Sequence, residues 1–194
     1  EARPMTGYDL ARFFDQSTAW VWSAPHSNIY TELRKLEREG LVEGRKEIRG
    51  ERLERTVYSV TDAGLDDLRT WTAAVVPTGP ERDALVLRSV FFDLVEVDAA
   101  TKVLEAFLSD QRRLIDDWTE HRDALLAKET PLIQERLARR PPSQHDHIAA
   151  LKAHVFQGMI DVAKARIDWA ERGIALLQQR PPADDVTEEG LATQ

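Results

Sequence analysis

Between Ser27 and Val60 the chain reads as a capped helix, a glycine and a two-stranded hairpin, an order that admits few folds. Ser27 is expected to cap the helix, whose apolar residues Ile29, Leu33 and Leu36 fall at i, i+4 and i+7 and so share one face. Gly40 stands where a left-handed residue would end it. Leu41 to Ile48 and Glu54 to Val60 read as strands, joined by the polar tip Arg49-Gly50-Glu51-Arg52-Leu53. Upstream, Thr6-Gly7-Tyr8-Asp9 has the form of a capping box, with Thr6 accepting from the backbone and Asp9 reaching back. A short helix with Leu10, Phe13 and Phe14 on its apolar side follows it, and Thr61 can cap a further helix from Asp62 to about Ala73. Helix, capped helix, then a hairpin with a basic tip is the element order of a winged helix-turn-helix.

The remainder is helical, so the fold class expected is mainly α with a small β-hairpin. Val76-Pro77-Thr78-Gly79-Pro80 is a turn-rich break and marks the expected boundary. Residues 1–76 are assigned to the winged helix-turn-helix, 77–182 to an α-helical dimerisation domain that could also hold an effector, and 183–194 to a flexible acidic tail. Arg139-Arg140-Pro141-Pro142-Ser143 interrupts the second part. In 99–128, Leu104, Trp118 and Leu125 take heptad position a, and Phe107 and Leu114 take d, with Gln111 and His121 as polar exceptions. From His147 to Gln179, Ile148, Val155, Val162, Trp169 and Leu176 recur every seven residues, and Ile160, Ile167, Ile174 and Leu177 widen the stripe. Such helices must bury a face, and a second subunit is the economical partner.

Composition narrows the chemistry. Cysteine is absent from the 194 residues, which removes disulfides, thiolate catalysis and cysteine-type zinc sites. The net charge is −8, but residues 34–55 hold 8 basic against 6 acidic side chains, a local basic strip on an acidic protein. No apolar run is long enough for a membrane span and the N-terminus is no secretory signal, so a cytoplasmic protein without membrane contact is expected. No catalytic triad, phosphate-binding glycine loop or acid/base carboxylate pair stands out, so an enzyme and a cofactor are not expected. His145-Asp146-His147 reads as a loop and helix cap rather than a metal site.

A helix that enters the major groove needs an apolar inner face and a polar outer one. The outer face here offers His26, Ser27, Asn28, Tyr30, Thr31, Arg34 and Lys35, and the wing tip offers Arg49 and Arg52 for a phosphate or the minor groove. The competing reading has Tyr30 packing on the wing and the two arginines merely solvated. Arg45 and Lys46 lie on a strand, where one can face solvent without touching DNA, and Trp20 and Trp22 are expected to anchor the helix.

Gly7-Tyr8-Asp9-Leu10, Ser27-Asn28-Ile29-Tyr30-Thr31-Glu32-Leu33, Leu36-Glu37-Arg38-Glu39-Gly40-Leu41-Val42 and Tyr58-Ser59-Val60-Thr61-Asp62-Ala63-Gly64, in that order, resemble the PadR family of transcriptional regulators. The second part resembles the subgroup with a long, virulence-activator AphA-like helical domain, through Leu85-Val86-Leu87-Arg88, Phe91-Phe92 and Ile167-Asp168-Trp169. The resemblance implies a homodimer on an inverted-repeat DNA operator, usually a repressor, released by a small, often aromatic, effector or a stress signal. It places Ser27, Tyr30 and Arg34 on the recognition helix and Arg49 and Arg52 on the wing. Thr31 stands where many members have proline. The family's apolar helix ahead of the Gly-Tyr motif has no counterpart here, and a natural chain carrying it would start before Glu1.

Phe91, Phe92, Trp118, His154, Phe156 and Trp169 read first as dimer core. An aromatic effector pocket between the two parts is the alternative, with Phe92, Trp118, His154 and Trp169 as its candidates and Trp169 foremost. A rival of another class is a winged-helix protein-interaction module with a helical oligomerisation domain.

Overall fold

The computed structural model describes residues 3–17, 25–49, 53–76, 79 and 82–179. The chain divides into two compact units, Glu1–Gly79 and Pro80–Gln194. Trp20, Trp22, the wing tip 50–52 and the expected tail 183–194 lie outside the described residues.

The first unit runs β1 (Met5–Thr6), α1 (Gly7–Ser17), α2 (His26–Arg38), β2 (Val42–Arg49), β3 (Leu53–Val60) and α3 (Asp62–Ala73). Its antiparallel sheet has the order β1-β3-β2. The hairpin register runs from Val42 opposite Val60 to Arg49 opposite Leu53, close to the expected strands. β1 was not expected, because two residues are too short to show alternation; it sets Met5 opposite Tyr58 and Thr6 opposite Val57. Ala11, Ile29 and Leu33 form the buried cluster, with Leu10 and Tyr58 packed against it. Ala11 carries the inner face of α1, where bulkier Leu10 and Phe13 stay half-buried.

The expected helix caps differ in how far they are met. Thr6 Oγ1 accepts from the Asp9 N–H at 3.1 Å, but the Asp9 carboxylate takes the Thr6 hydroxyl, at 2.8 Å, rather than a backbone N–H. That hydrogen bond holds the Asp9 carboxyl below its ordinary pKa. Ser27 does not cap α2. Pro25 holds the N-cap position with an extended backbone, its carbonyl accepts from Asn28 N–H at 2.9 Å, and Ser27 falls inside the helix. Proline's preset φ suits it to a helix entrance, so the helix begins earlier than the serine suggested.

Gly40 ends α2 as expected, at φ +73°. Leu41 N–H donates to the Leu36 carbonyl at 2.9 Å and Gly40 N–H to the Glu37 carbonyl at 3.1 Å, the paired bonds of a Schellman stop. Thr61 accepts from Gly64 N–H at 3.0 Å and donates to the Gly40 carbonyl at 2.8 Å. The start of α3 is thereby tied to the end of α2.

The second unit comprises α4 (Ala84–Ser89), a 3-10 turn at Phe92–Leu94, α5 (Val97–Leu126), α6 (Pro131–Leu137), a 3-10 turn at Pro142–Gln144 and α7 (His145–Gln178). α5 and α7 pack antiparallel, with Leu104 against Gly173 at one end and Lys128 paired with Asp146 at the other. α5 buries Ala100, Leu104, Leu108 and Leu125. α7 buries Ala149, Ala153, Phe156, Ile160, Ala163 and Ala170, which alternate four and three residues apart until the last step.

This seam corrects the expected heptad of α7 by one position. Of the expected series, Val155, Val162 and Leu176 are exposed and Ile148 and Trp169 are half-buried, whereas the alanine-rich series beside it is buried against α5. Alanine lets the helix backbones approach closely, which no ranking by bulk reveals from sequence. The two faces together make α7 apolar around much of its circumference.

Candidate nucleic-acid interface

Burial divides α2 into two faces. Ile29 and Leu33 are buried and Leu36 is half-buried, whereas Ser27, Asn28, Tyr30, Thr31, Arg34 and Lys35 are all exposed. Ser27, Tyr30, Thr31 and Arg34 stand at i, i+3, i+4 and i+7, one surface of the helix, and Asn28 and Lys35 form the neighbouring strip. That surface is presented because the opposite one packs on α1.

Within it, the side chains are unequally committed. The Thr31 hydroxyl donates to the Ser27 carbonyl at 3.1 Å, which leaves its methyl and its oxygen lone pairs for a partner. Lys35 reaches Glu32 only at 4.0 Å, with both side chains exposed, a pair weak enough for a phosphate to displace. Arg34 has no ion pair among the described residues. Tyr30 is 40% exposed and sits at the border between the two faces.

The hairpin neutralises part of its own basic charge. Arg55 pairs with Glu47 directly across the ladder at 2.7 Å, and Arg45 pairs with Glu43 at 3.2 Å. Arg49 ends β2 opposite Leu53, but its side chain and the whole of Arg52 lie outside the described residues. So do the side chains of His26 and Phe14.

The four effector candidates do not form one cluster. Phe92 and Trp169 pack together against the buried Leu104, Leu108 and Ala170. Trp118 lies ten residues further along α5 than Leu108, about 15 Å at the helical rise, and His154 is exposed. The Trp118 Nε1–H is buried without a hydrogen-bond partner among the described residues. The sequence reading passed over Arg166, whose guanidinium lies 5.0 Å from the centroid of the Phe107 ring and pairs with Asp83. Phe107 in turn meets Trp169 edge to face, centroids 6.3 Å apart. No spacing rule links Asp83 to Arg166, so only the fold reveals the pair.

His145 engages the Arg140 carbonyl at 2.9 Å, and Asp146 pairs with Lys128 at 2.5 Å. Among the described residues no group of three histidine or carboxylate side chains is placed to hold a metal ion, and no helix is long and apolar enough to cross a membrane.

Residues 1–70 match the family described as "Transcriptional regulator PadR-like family". The chain is 31% identical over 130 residues to the negative transcriptional regulator PadR of Bacillus subtilis, covering 66% of this chain and 71% of that protein. It is 30% identical over 177 residues to the probable transcriptional regulator Rv1176c of Mycobacterium tuberculosis, covering 90% and 91%. Its fold is shared with Bacillus subtilis PadR solved with operator DNA (TM-score 0.68, 24% identity, 90% of this chain and 91% of that one) and solved with p-coumaric acid (0.67, 22%, 91% and 92%). The Vibrio cholerae virulence activator AphA also shares it (0.62, 24%, 91% of each).

Proposed function

The chain belongs to the PadR-like family of transcriptional regulators, and on that premise we propose that it is a homodimeric repressor of an inverted-repeat operator, released by a small aromatic ligand or a stress signal. The family's members regulate transcription and are not enzymes. The observation that carries the reading is α2 itself. Six polar or amphipathic side chains lie exposed on a helix whose Ile29 and Leu33 are locked into the core.

In this reading residues 1–76 bind DNA and residues 77–182 dimerise and receive the signal. Ser27, Asn28, Tyr30 and Thr31 read base edges, while Arg34, Lys35 and the wing residues Arg49 and Arg52 hold phosphates and set the register. Homodimerisation is supported by the exposed outer series of α7, which a second copy of the same face would cover. Two recognition helices would then meet successive major grooves about one turn of DNA apart.

An aromatic effector is supported by the relative that was solved with p-coumaric acid and by the Phe92, Phe107 and Trp169 cluster of this chain. A ligand that binds one dimer geometry better than the other lowers operator affinity by that difference.

Fluorescence-anisotropy titration of DNA spanning the protein's own upstream region, against salt and nonspecific competitor, tests the reading. Nanomolar binding by one dimer that survives competitor is expected. Arg34→Ala and Lys35→Ala should each lower the salt slope by about one unit. Salt-sensitive binding that competitor abolishes on every fragment would sink the operator reading, and unchanged affinity on mutating Tyr30 and Arg34 would favour a protein-binding winged helix.

A further inference from the structure

Gly7, the first residue of α1, is buried beneath the ring of Tyr30. A Cβ built on Gly7 would stand 2.6 Å from Tyr30 Cε1 and 3.0 Å from Cδ1, closer than a carbon can come to an aromatic ring. The next neighbour, Leu33 Cδ1, would be at 3.5 Å, an ordinary contact. The glycine is therefore required by one side chain only. Its own φ is not positive, so backbone freedom does not explain it.

Tyr30 stands where the two faces of α2 meet, with Leu33 on the buried side and Ser27 and Arg34 on the exposed side. Its ring has a flat backbone floor at Gly7, and its hydroxyl makes no hydrogen bond among the described residues. An aromatic residue seated on its body with its polar tip unengaged is poised to bond a partner without first losing rotamer freedom.

We propose that Gly7 is a positioning residue for recognition: by leaving room for the ring, it holds the Tyr30 hydroxyl ready for a DNA acceptor or donor. This rests on the reading of α2 as the DNA-facing helix. In a chain lacking that space the ring must swing off its floor, and the hydroxyl leaves its place although Tyr30 itself is intact.

The test is a double-mutant cycle on operator affinity with Gly7→Ala, Tyr30→Ala and the pair, with Tyr30→Phe alongside and thermal unfolding of each. Tyr30→Ala and Tyr30→Phe should each weaken specific binding about tenfold, the size of one lost hydrogen bond. Gly7→Ala should weaken it by a similar factor, and adding Gly7→Ala to Tyr30→Ala should change it less than twofold. The double variant removes the ring that collides, so it folds even where Gly7→Ala alone melts early. An equal loss from Gly7→Ala in both backgrounds, or none in either, would overturn the positioning role while leaving the α2 reading intact. Wild-type protein without specific DNA binding would overturn both.

Discussion

The guanidinium of Arg166 lies over the ring of Phe107, 5.0 Å from its centroid, and the same group pairs with the carboxylate of Asp83. Asp83 meanwhile caps α4, accepting from the N–H groups of Leu85 and Val86 at 2.9 and 3.1 Å. One side chain on α7 thus meets a ring of α5 and the entrance of α4, beside the Trp169 that meets Phe107 edge to face.

Arg166→Ala should destabilise the second unit by about 1–2 kcal/mol, a cation–π contact of about 0.5–1 plus a half-exposed ion pair of up to about 1. Thermal unfolding followed by tryptophan fluorescence measures it. In a Phe107→Leu background the same substitution should cost about 0.5 kcal/mol less, since the ring contribution is already gone. A loss identical in both backgrounds would mean that the ring contributes nothing.

His121 packs against Phe156 at 4.6 Å between centroids, and burial pushes its pKa below the ordinary 6.5. The unfolded chain then binds a proton more readily than the folded one, so stability is complete above about pH 6.5 and declines as pH falls below it. The transition temperature should drop between pH 7 and pH 5, and His121→Leu should flatten that part of the profile. An unaltered profile in the variant would show that His121 does not carry the dependence, because Asp146, which Lys128 holds below its ordinary range, contributes only at lower pH.

What could be read from sequence follows how local the cause is. Gly40, Thr61 and the two hairpin strands act through neighbours a few residues away, and each appears where its residue type demanded it. The α2 cap failed for an equally local reason: Pro25 and Ser27 both suit a helix entrance, and the proline came first. The α7 seam lay beyond sequence, because both the alanine series and the valine series obey a seven-residue period. Only α5 decides between them. On the candidate interface, the exposed face of α2 was legible from periodicity, whereas the pairing of Arg55 with Glu47 depended on the register between the two strands.

Two left-handed residues give opposite expectations. Gly40→Ala should cost about 1 kcal/mol through backbone strain alone, because an added Cβ meets nothing within 4 Å. Lys128 takes φ +62° at the end of α5, a conformation that penalises its side chain. Its ion pair to Asp146 joins half-exposed and exposed groups and offsets little of that strain. Lys128→Gly should therefore raise stability by several tenths of a kcal/mol in denaturant titration. A destabilised variant would show that the ion pair outweighs the strain.

Neighbouring residues of α7 separate packing within one chain from pairing between two. Val162 is 61% exposed in the single chain, and Ala163 is buried against α5. Val162→Glu should leave the helicity of the chain nearly unchanged, since a solvated surface substitution usually alters stability by less than about 0.5 kcal/mol. Placed in the centre of a dimer contact, two such carboxylates would face one another across a desolvated interface, and sedimentation should report monomers at micromolar concentration. Operator affinity should fall with the dimer, although no residue of the first unit has changed. Ala163→Glu is the contrasting case: it forces a charge into the α5–α7 seam and should cost helicity as well as assembly. A Val162→Glu protein that sediments as a dimer at every concentration would remove the outer face of α7 from the interface.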